Sequence, residues 1–132
     1  MSHGDAEAVT RALISIEEDA SQPTIRRLRL VSLLGFFPSE PSRKALESAM
    51  AGPAPVRREA VNAYGNAFRE QSVARLSEML SHDDPFTRIA AIKALRATGA
   101  PQARAAIERR LDVETAESVR RAASATLSRQ VR

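Results

Sequence analysis

The stretch Val56-Arg57-Arg58-Glu59-Ala60-Val61-Asn62-Ala63-Tyr64-Gly65 returns as Thr87-Arg88-Ile89-Ala90-Ala91-Ile92-Lys93-Ala94-Leu95-Arg96. It returns again as Val119-Arg120-Arg121-Ala122-Ala123-Ser124-Ala125-Thr126-Leu127-Ser128. Each copy reads Val or Thr, then Arg, two variable residues, Ala, two more variable residues, Ala or Thr, and a Leu or Tyr. A degenerate upstream copy, Arg26-Arg27-Leu28-Arg29-Leu30-Val31-Ser32-Leu33-Leu34-Gly35, keeps the Arg and the closing Leu-Gly but has Leu where the others have Ala. The aligned residues Arg27, Arg57, Arg88 and Arg120 are separated by 30, 31 and 32 residues. Self-similarity at a nearly fixed period marks a repeat architecture, in which one supersecondary unit stacks on the next.

A second apolar helix precedes each copy. Leu46 and Met50, Leu76 and Leu80, and Ile107 and Leu111 are i, i+4 pairs that keep the same step, and Leu13 heads the corresponding stretch upstream. Apolar residues at that spacing line one face of a helix, so each unit reads as two amphipathic helices. The punctuation agrees. Pro23, Pro53, Pro55 and Pro85 stand at or before the start of second helices, where a first-turn proline is tolerated. Ser81-His82-Asp83-Asp84-Pro85 reads as a turn with Asp84 or Asp83 as N-cap. Gly35, Gly65 and Gly99 are expected to close second helices. The run Leu30–Phe37 is far shorter than the ~20 residues of a membrane span and is expected to be a buried helix end.

Composition points the same way. The chain has 132 residues, one domain's length, with four Phe, one Tyr and no Trp. The core must therefore come from Leu, Ile, Val and Ala, and Ala, Leu, Arg and Glu are strong helix formers. With no cysteine, disulfides, thiolate metal sites and cysteine nucleophiles are excluded. The polar start, Met1–Thr10, lacks the basic and apolar regions of a signal peptide, which makes a cytoplasmic location the expectation.

The pattern Val-Arg-x-x-Ala-x-x-Ala-Leu-Gly resembles the HEAT-like repeats, particularly the short version of about 30 residues found in phycobilin lyase subunits. The resemblance covers roughly Ala6 to Ser128. It implies an all-α, right-handed α-solenoid (an alpha-alpha superhelix) of about four helical pairs, approximately 6–36, 39–66, 71–99 and 101–130, forming a single domain over residues 1–132. Ala60, Ala91 and Ala123 are then the small contacts that let helices approach, and Tyr64, Leu95 and Leu127 fill the space between repeats. The acidic first helix (Asp5, Glu7, Glu17, Glu18, Asp19) and the segment Arg121–Arg132, almost free of large apolar residues, suit polar end caps. The resemblance also places Arg57, Arg88 and Arg120 near the starts of second helices, bonded to carboxylates or carbonyls at the turns. Asp83, Asp84 and Asp112 are the candidate partners.

The chemistry of the remaining residues favours binding over catalysis. Only two histidines occur, His3 and His82, and His82 beside Asp83 and Asp84 reads as a capped turn in preference to a metal site. HEAT-like hydroxylases that bind iron carry repeated His-Glu pairs; here Gly4 follows His3 and Asp83 follows His82. No P-loop, dinucleotide fingerprint or nucleophile elbow is present. No catalytic residue, cofactor or metal ligand is expected.

Residues 1–22 carry one basic and five acidic groups, so residues 23–132 hold nineteen basic and eleven acidic ones, a net +8. If Ala60, Ala63 and Tyr64 are buried, Arg58, Asn62 and Asn66 share the opposite face, and Lys93 and Arg121 follow in the next repeats. Arg58, Asn62, Asn66, Lys93, Arg96 and Arg121, with Arg29 and Phe36 as extensions, form the expected partner-binding set on the concave second-helix surface. Phe36-Phe37 reads either as a staple for the loop before Pro38 or as an exposed anchor for a partner. Phe68 and Phe86 flank loops and are expected to pack beneath them. The partner expected is another protein or an acidic peptide segment, with no membrane involved. Nucleic-acid-backbone binding through the arginines is the alternative, though no aromatic stacking platform accompanies them. An accessory role beside a modifying enzyme, such as a chromophore lyase, is a third reading.

Overall fold

The computed structural model describes Arg11 and residues 24–130. Among them, helices follow one another without a strand: α1 (Thr24–Leu34), α2 (Glu40–Met50), α3 (Ala54–Phe68), α4 (Val73–Met79), α5 (Pro85–Thr98), α6 (Pro101–Val113) and α7 (Glu117–Gln130), with a 3-10 turn at Arg69–Ser72. The all-α, helical-pair repeat class of the α-solenoids is therefore as the sequence predicts. The expected first helix around Leu13 and the acidic cap lie outside the described residues. The chain forms two compact units, Met1–Ala67 and Phe68–Arg132.

In the first unit α2 begins at Ser39, an extended residue whose side-chain hydroxyl accepts the Ser42 N–H, with Pro41 in the first turn. That cap satisfies one of the amide donors a helix start leaves open. α2 buries Ala45, Leu46, Ala49 and Met50, while α3 buries Val56, Ala60, Val61, Ala63 and Tyr64. Gly35, just past α1, lies so close to α3 that an added Cβ would stand 3.2 Å from Ala63 Cα and from its carbonyl oxygen. A larger residue there would push the two backbones apart by a few tenths of an ångström. The run ending α1 is only partly buried. Leu30, Val31 and Leu34 are inside, but Leu33 is 44% and Phe36 72% exposed. Of the Phe36-Phe37 pair, only Phe37 is half-covered.

α3 does not close at Gly65. It runs to Phe68, and Gly65 lacks the left-handed backbone of a C-terminal cap; the described residues with positive φ are Gly99 and Arg69. Arg69, at φ 50, turns the chain out of the helix in a conformation that costs a non-glycine residue roughly 1–2 kcal/mol. Gly99 does close its helix as expected, at φ 69 with its N–H on the Arg96 carbonyl.

In the second unit α5 packs against α4, α6 and α7, and α6 against α7. α5 starts on Asp84, whose carboxylate accepts the Phe86 N–H and the Thr87 hydroxyl, with Pro85 in the first turn. This anchoring explains why Phe86, contrary to expectation, is 62% exposed. It is held in the first turn of α5 instead of folding under the loop. Phe68 is buried as expected. The repeated small positions behave alike in both units: Ala60, Ala91 and Ala123 are 0%, 0% and 1% exposed. Tyr64 and Leu95 beside them are buried and Leu127 is half-buried. No helix among the described residues is long and apolar enough to cross a membrane.

Candidate functional site

Three of the four aligned arginines, Arg57, Arg88 and Arg120, are used internally, and in one shared way. Arg57 Nη1 donates to the Gly52 carbonyl at 3.1 Å. Arg88 Nη1 donates to the His82 and Asp83 carbonyls at 2.8 and 3.1 Å. Arg120 Nη1 donates to the Leu111 and Glu114 carbonyls at 3.0 and 2.8 Å. In each case the guanidinium at the start of a second helix reaches back to carbonyls of the preceding turn, oxygens that the helix leaves without intrahelical partners. The acceptors expected from sequence need one correction. Asp83 serves through its carbonyl, and the carboxylate of Asp84 caps α5.

The carboxylate that Arg88 takes belongs to Glu114, a residue the sequence pattern does not flag. Arg88 Nε and Nη2 donate to its two oxygens at 2.8 and 2.9 Å, a bidentate fork. Arg110 Nε donates to Oε1 at 3.0 Å, and the Thr115 and Ala116 N–H groups to Oε2 at 3.1 and 3.0 Å. The Glu114 side chain is fully buried. Burial alone raises its carboxyl, but hydrogen bonds from Arg88, the Ala116 N–H and Arg110, with the charge of Arg110, outweigh that and hold it at about 2. The readable signal was positional: Glu114 stands six residues before Arg120, in the turn to which Arg120 returns.

A second polar cluster closes the edge of the first unit. The Tyr64 hydroxyl receives Arg43 Nη1 at 2.9 Å and donates to Glu47 at 3.1 Å. The Arg43 guanidinium carbon stands 5.8 Å from the Tyr64 ring centroid, within cation–π range. Burial, then the Glu47 charge, raises the phenol above its usual range. Tyr64 is thus both a core filler and the polar tie between α2 and α3.

The expected partner-binding residues divide between the two units. In the first, Arg29, Phe36, Asn62 and Asn66 are exposed, and Asn62 and Asn66 lie one turn apart on α3; Arg58 is half-buried. In the second, Lys93 and Arg96 are exposed one turn apart on α5, and no described acidic side chain pairs with either. Arg121 is exposed on α7, with the Glu117 carboxylate 3.6 Å from its Nε. Ile89, at the position equivalent to Arg58, is half-buried. His82 Nδ1 accepts the Asp84 N–H at 3.0 Å, which fixes the turn. No group of three or more His, Cys, Asp or Glu among the described residues is placed to hold a metal ion.

Against known proteins, a family model described as HEAT repeats matches residues 39–128. No curated protein matches the chain. The solved structure of human deoxyhypusine hydroxylase in complex with glycerol is similar at 25% identity with a TM-score of 0.74. The similarity covers 90% of this chain but only 42% of the human one, so the chain spans less than half that enzyme's length.

Proposed function

The chain belongs to the HEAT-repeat family, and from that premise we propose that it is a non-catalytic interaction module whose second helices hold an acidic segment of a partner protein. The observation that carries this reading is the division of labour among its cations. Arg57, Arg88 and Arg120, which recur in register, are spent on backbone carbonyls, whereas Lys93 and Arg96 stand exposed on α5 without an acidic partner among the described residues. Exposed basic groups on a rigid helical layer steer and orient an acidic chain. A preorganised scaffold also loses little conformational freedom on binding.

The residues present lend the hydroxylase activity of the similar human protein little support. His82 is tied into its turn, and the chain lacks the repeated His-Glu pairs that iron-binding HEAT-like hydroxylases carry.

Affinity purification of the tagged protein from its native lysate, with nuclease and at two salt concentrations, tests the proposal when K93E/R96E is run beside the wild type. A defined protein partner is expected to survive nuclease and to be depleted in the variant, whose helical circular dichroism stays unchanged. Recovery of nucleic acid alone, falling steeply as salt rises, would overturn the reading in favour of backbone binding. A modifying-enzyme subunit as the captured partner would make the chain an accessory subunit.

A further inference from the structure

The first helices of the second unit carry a feature independent of that surface. A groove of about 220 Å³ lies between α4, the turn after it, and α6, lined by Ser77, Leu80, Ser81, Ala106, Arg109, Arg110 and Val113. Leu80 and Ala106 are buried, at 3% and 5% exposure, and supply an apolar floor; Val113, 65% exposed, stands at the rim. Two guanidinium groups and no carboxylate line it.

The local charge is unbalanced. Glu114 is the single carboxylate bonded to both Arg88 and Arg110, and both of its oxygens are already shared among five donors. One positive charge of this cluster is left over. Arg110 spends Nε on Glu114, and no bond among the described residues uses its two terminal nitrogens. Arg109, exposed beside it, has no hydrogen-bond or ion-pair partner among the described residues. The Ser81 hydroxyl is likewise uncommitted among them, while Ser77 Oγ donates to the Val73 carbonyl at 2.6 Å. Forked N–H donors with an excess of positive charge, next to an apolar floor, fit a carboxylate that carries an aliphatic group.

We propose that this groove captures the C-terminal residue of a partner polypeptide, its α-carboxylate on Arg109, Arg110 and Ser81 and a branched aliphatic side chain on Leu80, Ala106 and Val113. The size of the groove selects a terminus over an internal acid. In an extended peptide, neighbouring side chains point to opposite faces, so an acidic residue and the aliphatic residue beside it do not enter one small groove together. A terminal residue holds both groups on one Cα.

The test is an amide NMR titration of the whole protein with acetyl-Ala-Ala-Val-Leu as the free acid. The comparison probes are the same peptide as its C-terminal amide, acetyl-Ala-Glu-Leu-Ala-amide, and N-acetyl-leucine. The free acid is expected to shift the amides of Ser77, Ser81, Arg109 and Val113, and to bind about tenfold or more tightly than the amide, the scale of losing a charged hydrogen-bond partner. R109M, at an exposed position, should weaken the acid about tenfold with unchanged circular dichroism, and S81A should weaken it less. K93E/R96E should leave it unaltered, which separates this site from the second-helix surface. Equal binding of acid and amide, or shifts elsewhere, overturns the proposal. The internal-Glu peptide binding as tightly as the acid overturns the choice of a terminus. N-acetyl-leucine matching the tetrapeptide overturns the polypeptide in favour of a free aliphatic acid.

Discussion

Glu114→Gln would remove one charge from the second unit and leave Arg88 and Arg110 without their shared counter-ion. The cost follows from the geometry. Burial raises the Glu114 carboxyl, yet the hydrogen bonds from Arg88, Ala116 and Arg110 bring it from 4.5 down to about 2. At ~1.4 kcal/mol per unit, that difference makes the ionised carboxylate worth about 3 kcal/mol to folding at neutral pH. Removing one partner of a buried ion pair costs about 3–5 kcal/mol in general, so two routes agree. Against a total stability of roughly 5–15 kcal/mol for a domain, this is a large fraction. Because the folded-state value is depressed, the contribution is complete above the unfolded value of 4.5 and is lost as pH falls through about 2. Urea unfolding of wild type and variant, followed by circular dichroism at pH 7 and pH 2, reads it directly. The gap should be about 3 kcal/mol at pH 7 and below ~1 kcal/mol at pH 2. A gap under ~0.5 kcal/mol at pH 7, or one that does not shrink in acid, refutes the assignment of Glu114 as the electrostatic centre of this unit.

Two further stability effects follow from the helix ends. Asp84→Ala removes the side-chain acceptor of the Phe86 N–H and the partner of the Thr87 hydroxyl, and should cost about 1 kcal/mol in thermal or urea unfolding. Arg69→Gly places at φ 50 the residue best suited to a left-handed conformation and should stabilise the chain by about 1 kcal/mol in the same assays.

The repeat was legible because it rests on steric identity. An alanine at position 60, 91 or 123 is demanded by close helix approach in each unit, and the structure buries all three. Helix starts were legible for the same kind of reason, since Asp84-Pro85 states its own cap and first turn. What could not be read were choices made by tertiary context. Gly65 looked like a helix stop, but a glycine ends a helix only if the backbone there turns left-handed, and the chain makes that turn at Arg69 instead. Phe86 looked like a core residue, but its amide is held by Asp84 in the first turn of α5, and the ring stays outside. Glu114 has no motif because it occurs in one copy only, and its meaning comes from Arg88 in the neighbouring repeat. Lys93 and Arg96 were expected outside and are exposed, whereas Arg58 from the same set is half-buried.

The arginine ladder bears on function through what it withdraws from the surface. Arg57, Arg88 and Arg120 recur in register, which at first sight suggests a repeated binding stripe. Their guanidiniums instead donate to carbonyls five, six or nine residues upstream, so the same bonds that position each second helix against its turn also occupy the most regularly spaced cations. In the proposed reading, specificity comes from the positions at which the repeats differ. Where one unit has Asn62 the next has Lys93, and Ala125 follows in the last. The repeated arginine locks the scaffold, and the variable residue five positions further along the helix is exposed. That is why substituting Arg88 should disturb folding, whereas substituting Lys93 should leave folding intact and, in the proposed reading, weaken partner binding.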